Sequence, residues 1–243
     1  MASLALVAWD VTALAAGTTA ADNTQPGAAV AAPAVAAEAA GIGAWTTDYP
    51  AALQVAAERQ LPLFIQFTGS DWCGWCQKME KECFSKPEFL QAMRTQCVLV
   101  VIDFPQKIKL PDALKAQNTK VAEQFKKRDG FPAYYMVDSD AKTVRWSFGA
   151  HPKYGKDLPL LISDIKGFCA ACSGEVARAV KGLPADKADA YRAAAKTFGE
   201  RQAVVVAWLD EKHPDMAAAK QQFEGYLTEL QALSAKMSEI LKA

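Results

Sequence analysis

Two cysteines three positions apart, Cys73 and Cys76, lie in the stretch "FTGSDWCGWCQKMEKECF", residues 67–84, and each directly follows a tryptophan. Sulfurs at that spacing can exchange with disulfides, hold half of a zinc site, or form a structural disulfide. Exchange makes the strictest demand on position. At the start of a helix the first sulfur meets unpaired backbone N–H groups, which favour thiolate over thiol. The second sulfur then lies one turn in, within bridging reach. The first thiolate attacks a substrate disulfide, and the second thiol resolves the mixed disulfide. A second pair, Cys169 and Cys172, occurs in "GFCAACSG". Zinc is disfavoured: the two pairs are far apart, and neither His151 nor His213 stands at ligand spacing from a cysteine. No metal is therefore expected. Both histidines read as solvated loop residues, and Cys83 and Cys97 as small core residues.

The first pair has the surroundings that exchange needs. The apolar run Leu61, Leu63, Phe64, Ile65 and Phe67 reads as a buried strand ended by Gly69. Asp71 is placed to cap a helix running from the cysteines to about Lys81. Before the strand, residues 45–60 read as a helix; after it, Ser85 and Pro87 open another, with Phe89, Leu90 and Met93 inward. Cys97 to Pro105 is a β-branched strand closed by proline. Leu114, Val121, Ala122 and Phe125 give the next helix an apolar face, ended at Gly130. Strands at 133–137 and 143–148, joined at Asp138-Ser139-Asp140, form a hairpin, and "DLPLLISDIKGFCAAC" returns to helix. A strand–helix–strand unit, a hairpin and a covering helix make a mixed sheet flanked by helices, α/β in class, over about 44–170.

Residues 171–243 read as an all-α extension. Tyr191, Ala195, Phe198, Val205 and Leu209 share one helix face, and His213-Pro214 interrupts the pattern. A seven-residue repeat follows, with Met216, Phe223, Leu230 and Met237 in one row and Ala219, Tyr226, Leu233 and Ile240 in the other. A helical hairpin is the preferred reading; a coiled-coil homodimer through 215–242 is the other. Residues 1–43 combine a signal-like leader with an Ala-rich linker. The leader is apolar and ends in small residues, but Asp10 interrupts it and Arg59 is the first basic residue. Export, to the periplasm or otherwise, is expected even without a basic n-region. Lys plus Arg number 27 against 27 Asp plus Glu, and no basic run stands out, so nucleic acid is not expected as a partner. No apolar stretch is long enough for a membrane span.

The segment around Cys73, together with "DGFPAYYMVD", resembles the thioredoxin-like superfamily over residues 44 to about 168. "FTGSDWCGWCQKMEKECFSKPEF" is more similar still to an exported bacterial subgroup related to the carboxy-terminal domain of the thiol:disulfide interchange reductases. The resemblance implies a thiol–disulfide oxidoreductase with Cys73 as nucleophile and Cys76 as resolving thiol. It implies no cofactor beyond the redox-active disulfide. Protein thiols and disulfides would be its substrates, and an upstream donor its electron source. Substrate contacts would come from Trp72, Gly74, Trp75, Phe131 and a cis-Pro132, which leaves the Phe131 backbone to pair with an extended chain.

Two departures from the family pattern stand out. A buried acid is usual where Gln66 lies, so proton transfer is expected through water or Asp71. Gly74-Trp75 supplies no histidine cation between the cysteines, which favours a reducing or moderately poised pair. Cys169–Cys172 has no proline partner or glycine turn, and Ser173 stands where covalent haem attachment needs histidine. A structural disulfide tying domain to tail is expected there, in preference to a redox relay. Rival readings of the whole are a redox-inert or redox-gated binding module and a dimeric disulfide isomerase.

Overall fold

The structure is a computed structural model that describes residues 42–125, 130–150, 153–209 and 211–242. The leader, nearly all of the linker and His151 lie outside the described residues. Five strands form one sheet in the order β1-β3-β2-β4-β5. These are β1 (Trp45–Thr46), β2 (Leu63–Thr68), β3 (Val98–Asp103), β4 (Ala133–Val137) and β5 (Val144–Gly149). β1, β3 and β2 run parallel, and β4 is antiparallel to both β2 and β5.

β2 is buried on both faces, and its side chains alternate between two cores. Leu63, Ile65 and Phe67 face a core covered by α1 (Tyr49–Arg59) and α4 (Asp112–Gln124). Phe64 faces the opposite core. That core is lined by α2 (Gly74–Met79), α3 (Pro87–Met93) and α5 (Leu158–Phe168).

Four expected local features differ. Residues 45–46 do not begin the first helix: Trp45 and Thr46 pair with Leu99 and Val100 as β1, and Asp48 caps α1 by accepting the Ala51 N–H at 3.0 Å. Asp71 does not cap α2; Cys73 does so with its own sulfur. α2 continues through a π-helical turn, Glu80–Phe84, in which the Ser85 N–H donates to the Glu80 carbonyl at 3.0 Å. Ser85 therefore does not cap α3. Its hydroxyl donates to the same carbonyl at 2.7 Å, and Lys86 stands at the cap position.

The carboxy-terminal helices are α6 (Ser173–Ala179), α7 (Ala185–Leu209) and α8 (Met216–Lys242). Trp208 of α7 stacks on Phe223 of α8, and Arg201 pairs with Glu229, so the two helices run antiparallel as a hairpin. Phe223, Leu230 and Met237 are buried, while Tyr226, Leu233 and Ile240 are half-buried against the same core. Both heptad rows thus pack within the chain. His213 stacks on Trp208 at 3.9 Å, and its Nε2 donates to the Trp208 carbonyl at 2.7 Å, so it is packed at the turn.

Tail and sheet share one core: Phe198, Val205 and Phe223 belong to the same apolar cluster as Phe64, Trp146 and Phe168. Two devices dock α6. An added Cβ at Gly174 would lie 1.7 Å from the Gln60 carbonyl oxygen, so only glycine allows this approach. The buried Asp138 carboxylate accepts both the N–H and the hydroxyl of Ser173, as well as the Arg145 guanidinium.

Asp164 on α5 is buried, accepts the Tyr154 hydroxyl at 2.9 Å through one oxygen, and has no partner for the other. Burial pushes its carboxyl up to about 6, against the Tyr154 hydrogen bond, which lowers it. The folded chain therefore holds this proton to a higher pH than the unfolded chain does. Its contribution to stability is fully present below about pH 4 and is lost as pH rises through about 6, on the order of 3 kcal/mol in all. Asp164→Asn is expected to remove that slope in urea unfolding measured from pH 4 to 7. Equal slopes in the two proteins would refute this assignment.

Candidate active site

The cysteine pair sits where β2 gives way to α2. The chain turns at Gly69, whose carbonyl accepts the N–H groups of Trp72 at 3.2 Å and Cys73 at 2.8 Å. Glycine is required because the Trp72 indole lies over this position. A Cβ there would fall 2.4 Å from Trp72 Cε2. Cys73 has extended backbone geometry (φ −87°, ψ 103°), and its Sγ accepts the Cys76 N–H at 3.2 Å. The two cysteines are joined as a disulfide, with Cα atoms 5.2 Å apart. Cys73 is 6% exposed and Cys76 1%. On reduction, the N–H aimed at Cys73 Sγ stabilises negative charge there and not on Cys76.

Aromatic rings frame the pair. Trp72 is 38% exposed, donates Nε1 to the Phe104 carbonyl at 2.8 Å, and meets Phe131 edge-on at 5.3 Å. The Phe131–Pro132 peptide is cis. Ala133, the next residue, pairs with Phe67 at the end of β2, which brings the cis-proline beside the turn that carries Cys73. Trp75 is 50% exposed, with Lys78 Nζ 5.3 Å above its ring. Nothing lies within 4 Å of a Cβ built on Gly74, so the backbone between the cysteines is open to an approaching chain.

The acids are arranged differently from expectation. Gln66 is 2% exposed, on the same face of β2 as Phe64, and its Oε1 has no partner. Its side chain hydrogen-bonds Glu80, one turn beyond Cys76, whose N–H donates to the Cys76 carbonyl. Burial raises the Glu80 carboxyl against the Gln66 hydrogen bond. Tyr134, directly opposite Gln66 in β4, is also raised, by its own burial and then by Cys83 and Glu80 nearby. Glu80 is thus the carboxylate on the inner side of the active-site helix. Its four-residue spacing from Cys76 was the available signal. Asp71 is occupied elsewhere: Oδ1 accepts the Gln106 N–H at 2.9 Å, and Oδ2 accepts those of Lys107 and Ile108 at 2.6 and 2.8 Å. These bonds outweigh desolvation and hold its carboxyl below the usual range.

The other cysteines are buried thiols. Cys169 ends α5, Cys172 precedes α6, and the Cys172 N–H donates to the Cys169 carbonyl at 2.8 Å. They are unbonded, in contrast to the disulfide expected there, and the Cys169 thiol donates to Met136 Sδ at 3.5 Å. The hydrogen bond to Cys169 and then burial raise Cys172. Cys169 is lowered by its bond with Cys172, but burial and the neighbouring Cys97 leave it raised. Burial pushes Cys83 up to about 11 and raises Cys97 further. Such thiols are poor nucleophiles. Among the described residues no group of three or more His, Cys, Asp or Glu is placed to hold a metal ion. None of the described helices is long and apolar enough to cross a membrane.

A parallel–antiparallel sheet with a CxxC disulfide opening a helix, and a cis-proline beside it, defines a thioredoxin-like domain. A family model described as thioredoxin-like matches residues 44–139, so this segment is similar to that family. Disulfide bond reductase DsbH of Chlamydia pneumoniae is 34% identical over 97 residues, 40% of this chain and 58% of that protein. Thioredoxin-related protein DsbJ of the same organism is 35% identical over 100 residues, 41% of this chain and 28% of that protein. The chain therefore spans under two thirds of the length of either relative. A solved structure titled DsbH Oxidoreductase aligns with 60% of this chain and 97% of its own, at 27% identity and a TM-score of 0.43.

Proposed function

We propose that the protein is an exported thiol–disulfide oxidoreductase that reduces disulfides in other proteins. The observation that carries this reading is the Cys73–Cys76 disulfide at the start of α2, with a backbone N–H directed at Cys73 Sγ. Cys73 thiolate attacks one sulfur of a substrate disulfide and releases the other as a thiolate. Cys76 then attacks Cys73 Sγ, which frees the second substrate thiol and closes the Cys73–Cys76 disulfide. An upstream dithiol returns two electrons and two protons to the pair. The matched relative named as a disulfide bond reductase supports the reducing direction. So does the absence of a cationic residue between the cysteines. The apolar leader supports export to the periplasm. The direct test is turbidimetric reduction of insulin by dithiothreitol with the full chain; a rate no faster than dithiothreitol alone would end the reading. Fractionation of the expressing bacterium tests export, and a wholly cytoplasmic pool would contradict it.

Within this reading Glu80 takes the proton from Cys76 during resolution, in place of the acid that Gln66 replaces. Support comes from its position one turn beyond Cys76 and its bond with Gln66. Because its carboxyl is raised, the base is lost as pH falls toward the upper carboxylate range. Glu80→Gln is expected to slow resolution at neutral pH by about tenfold, below the usual general-base contribution because water substitutes in part. Stopped-flow decay of the mixed disulfide across pH 5–8 is the measurement. Superimposable pH profiles for variant and wild type would remove Glu80 from the mechanism.

A further inference from the structure

Three successive residues of the active-site turn grip one distant segment. Ser70 donates its N–H and hydroxyl to the Asp103 carboxylate at 2.9 and 2.6 Å. Asp71 accepts three consecutive N–H groups, those of Gln106, Lys107 and Ile108. Trp72 donates to the Phe104 carbonyl. Residues 103–108, which lead from β3 toward α4, are thereby fixed against the turn that ends in Cys73. Prolines at 105 and 111 stiffen the connection. This is a costly arrangement for a mere connector, because it fixes an exposed loop through a partly exposed carboxylate.

The face it presents is specific. Ile108 is 50% exposed, one of the few large apolar side chains so exposed among the described residues, and Lys107 and Lys109 flank it in the open. Phe104 meets Phe131 at 5.8 Å and Phe131 meets Trp72, so an aromatic floor runs from this loop to the residue beside Cys73. The three N–H groups that bind Asp71 offset its charge, and Ser70 engages Asp103. The donors to these two carboxylates are backbone N–H groups and the Ser70 hydroxyl, not the Lys107 or Lys109 ammonium groups, which stand exposed on either side of Ile108.

We propose that residues 104–109 are a substrate-recognition wall, and that Asp71 is its positioning residue. The occupant is an extended segment of the substrate protein with an apolar side chain beside its reactive cysteine and a carboxylate next to that. The apolar side chain packs on Ile108 and the aromatic floor, and the carboxylate meets Lys107 or Lys109. This inference rests on the oxidoreductase reading above and names the substrate class for the same site.

Two synthetic peptides, each closed by one intramolecular disulfide, test it with the full chain. One carries Leu and Glu beside a half-cystine, the other Ser and Lys; hydroxyethyl disulfide serves as a small substrate for the wild type. The wild type is expected to favour the Leu–Glu peptide in kcat/KM. Ile108→Ser raises KM for that peptide about five- to tenfold, in proportion to a partly buried apolar contact, with the effect on KM and not on kcat. Lys107→Glu with Lys109→Glu reverses the charge preference. Asp71→Ala lowers the ratio between the two peptides through KM, whereas a merely structural Asp71 would lower kcat/KM for both alike. Equal use of the two peptides by the wild type, or an Ile108→Ser protein with unaltered KM, overturns the inference while hydroxyethyl disulfide turnover keeps the oxidoreductase reading intact. A wild type that turns over none of the three substrates overturns both.

Discussion

Cys73→Ser is expected to bring insulin reduction down to the dithiothreitol background. A serine hydroxyl is not ionised at neutral pH and cannot form a disulfide, so neither attack nor resolution takes place. The loss is at least about 10³-fold, on the order of 4 kcal/mol of transition-state stabilisation. Cys76→Ser has a different signature. Cys73 still attacks, because the backbone N–H of residue 76 still reaches its Sγ, but nothing resolves the product. Mixed disulfides between Cys73 and substrate should then accumulate and appear as mass adducts that dithiothreitol removes. The four other thiols are raised, Cys172 first by its hydrogen bond with Cys169 and the other three by burial, and should not rescue either variant. Insulin reduction persisting in Cys73→Ser, or adducts mapping to Cys169 or Cys172, would contradict this division of roles.

Asp138→Ala is expected to be the most destabilising single substitution outside the apolar core. The carboxylate is buried and accepts Arg145 at 2.6 and 3.1 Å, together with the Ser139 N–H at 2.7 Å and both donors of Ser173. Its removal leaves a mostly buried guanidinium and the first turn of α6 without their acceptor. Breaking a buried pair from one side costs about 3–5 kcal/mol, a large part of the usual 5–15 kcal/mol of a folded domain. Equilibrium urea unfolding checks the magnitude, and a loss below about 1 kcal/mol would mean that water replaces the carboxylate. The same titration should show one transition in the wild type, since α7 and α8 share a core with the sheet. A separate early transition of the tail would refute that coupling.

Much of the fold was legible in the sequence because its signals are local. β2 and β3 are apolar β-branched or aromatic runs, and the β4–β5 hairpin is marked by Asp138-Ser139-Asp140. The α7–α8 hairpin followed from apolar spacing and the break at His213-Pro214. β1 was not legible: two residues carry no periodicity, and Trp45 becomes a strand residue only through its pairing with Leu99. The job of Asp71 was equally hidden, since a carboxylate before a helix reads as a cap while its partners lie at 106–108.

By itself, the sequence determined where disulfide chemistry can occur. The spacing of Cys73 and Cys76, the apolar run before them and Gly69 act within a single turn, and local geometry places a sulfur among unpaired N–H groups. Only the tertiary structure decided which of six similar sulfurs form that disulfide and which stay buried as thiols. It also decided that Glu80 and not Asp71 is the inner acid, and that α6–α8 extend the domain's own core. These outcomes depend on contacts between residues tens of positions apart. Burial and hydrogen-bond partners at such separations exist only once the chain has closed on itself.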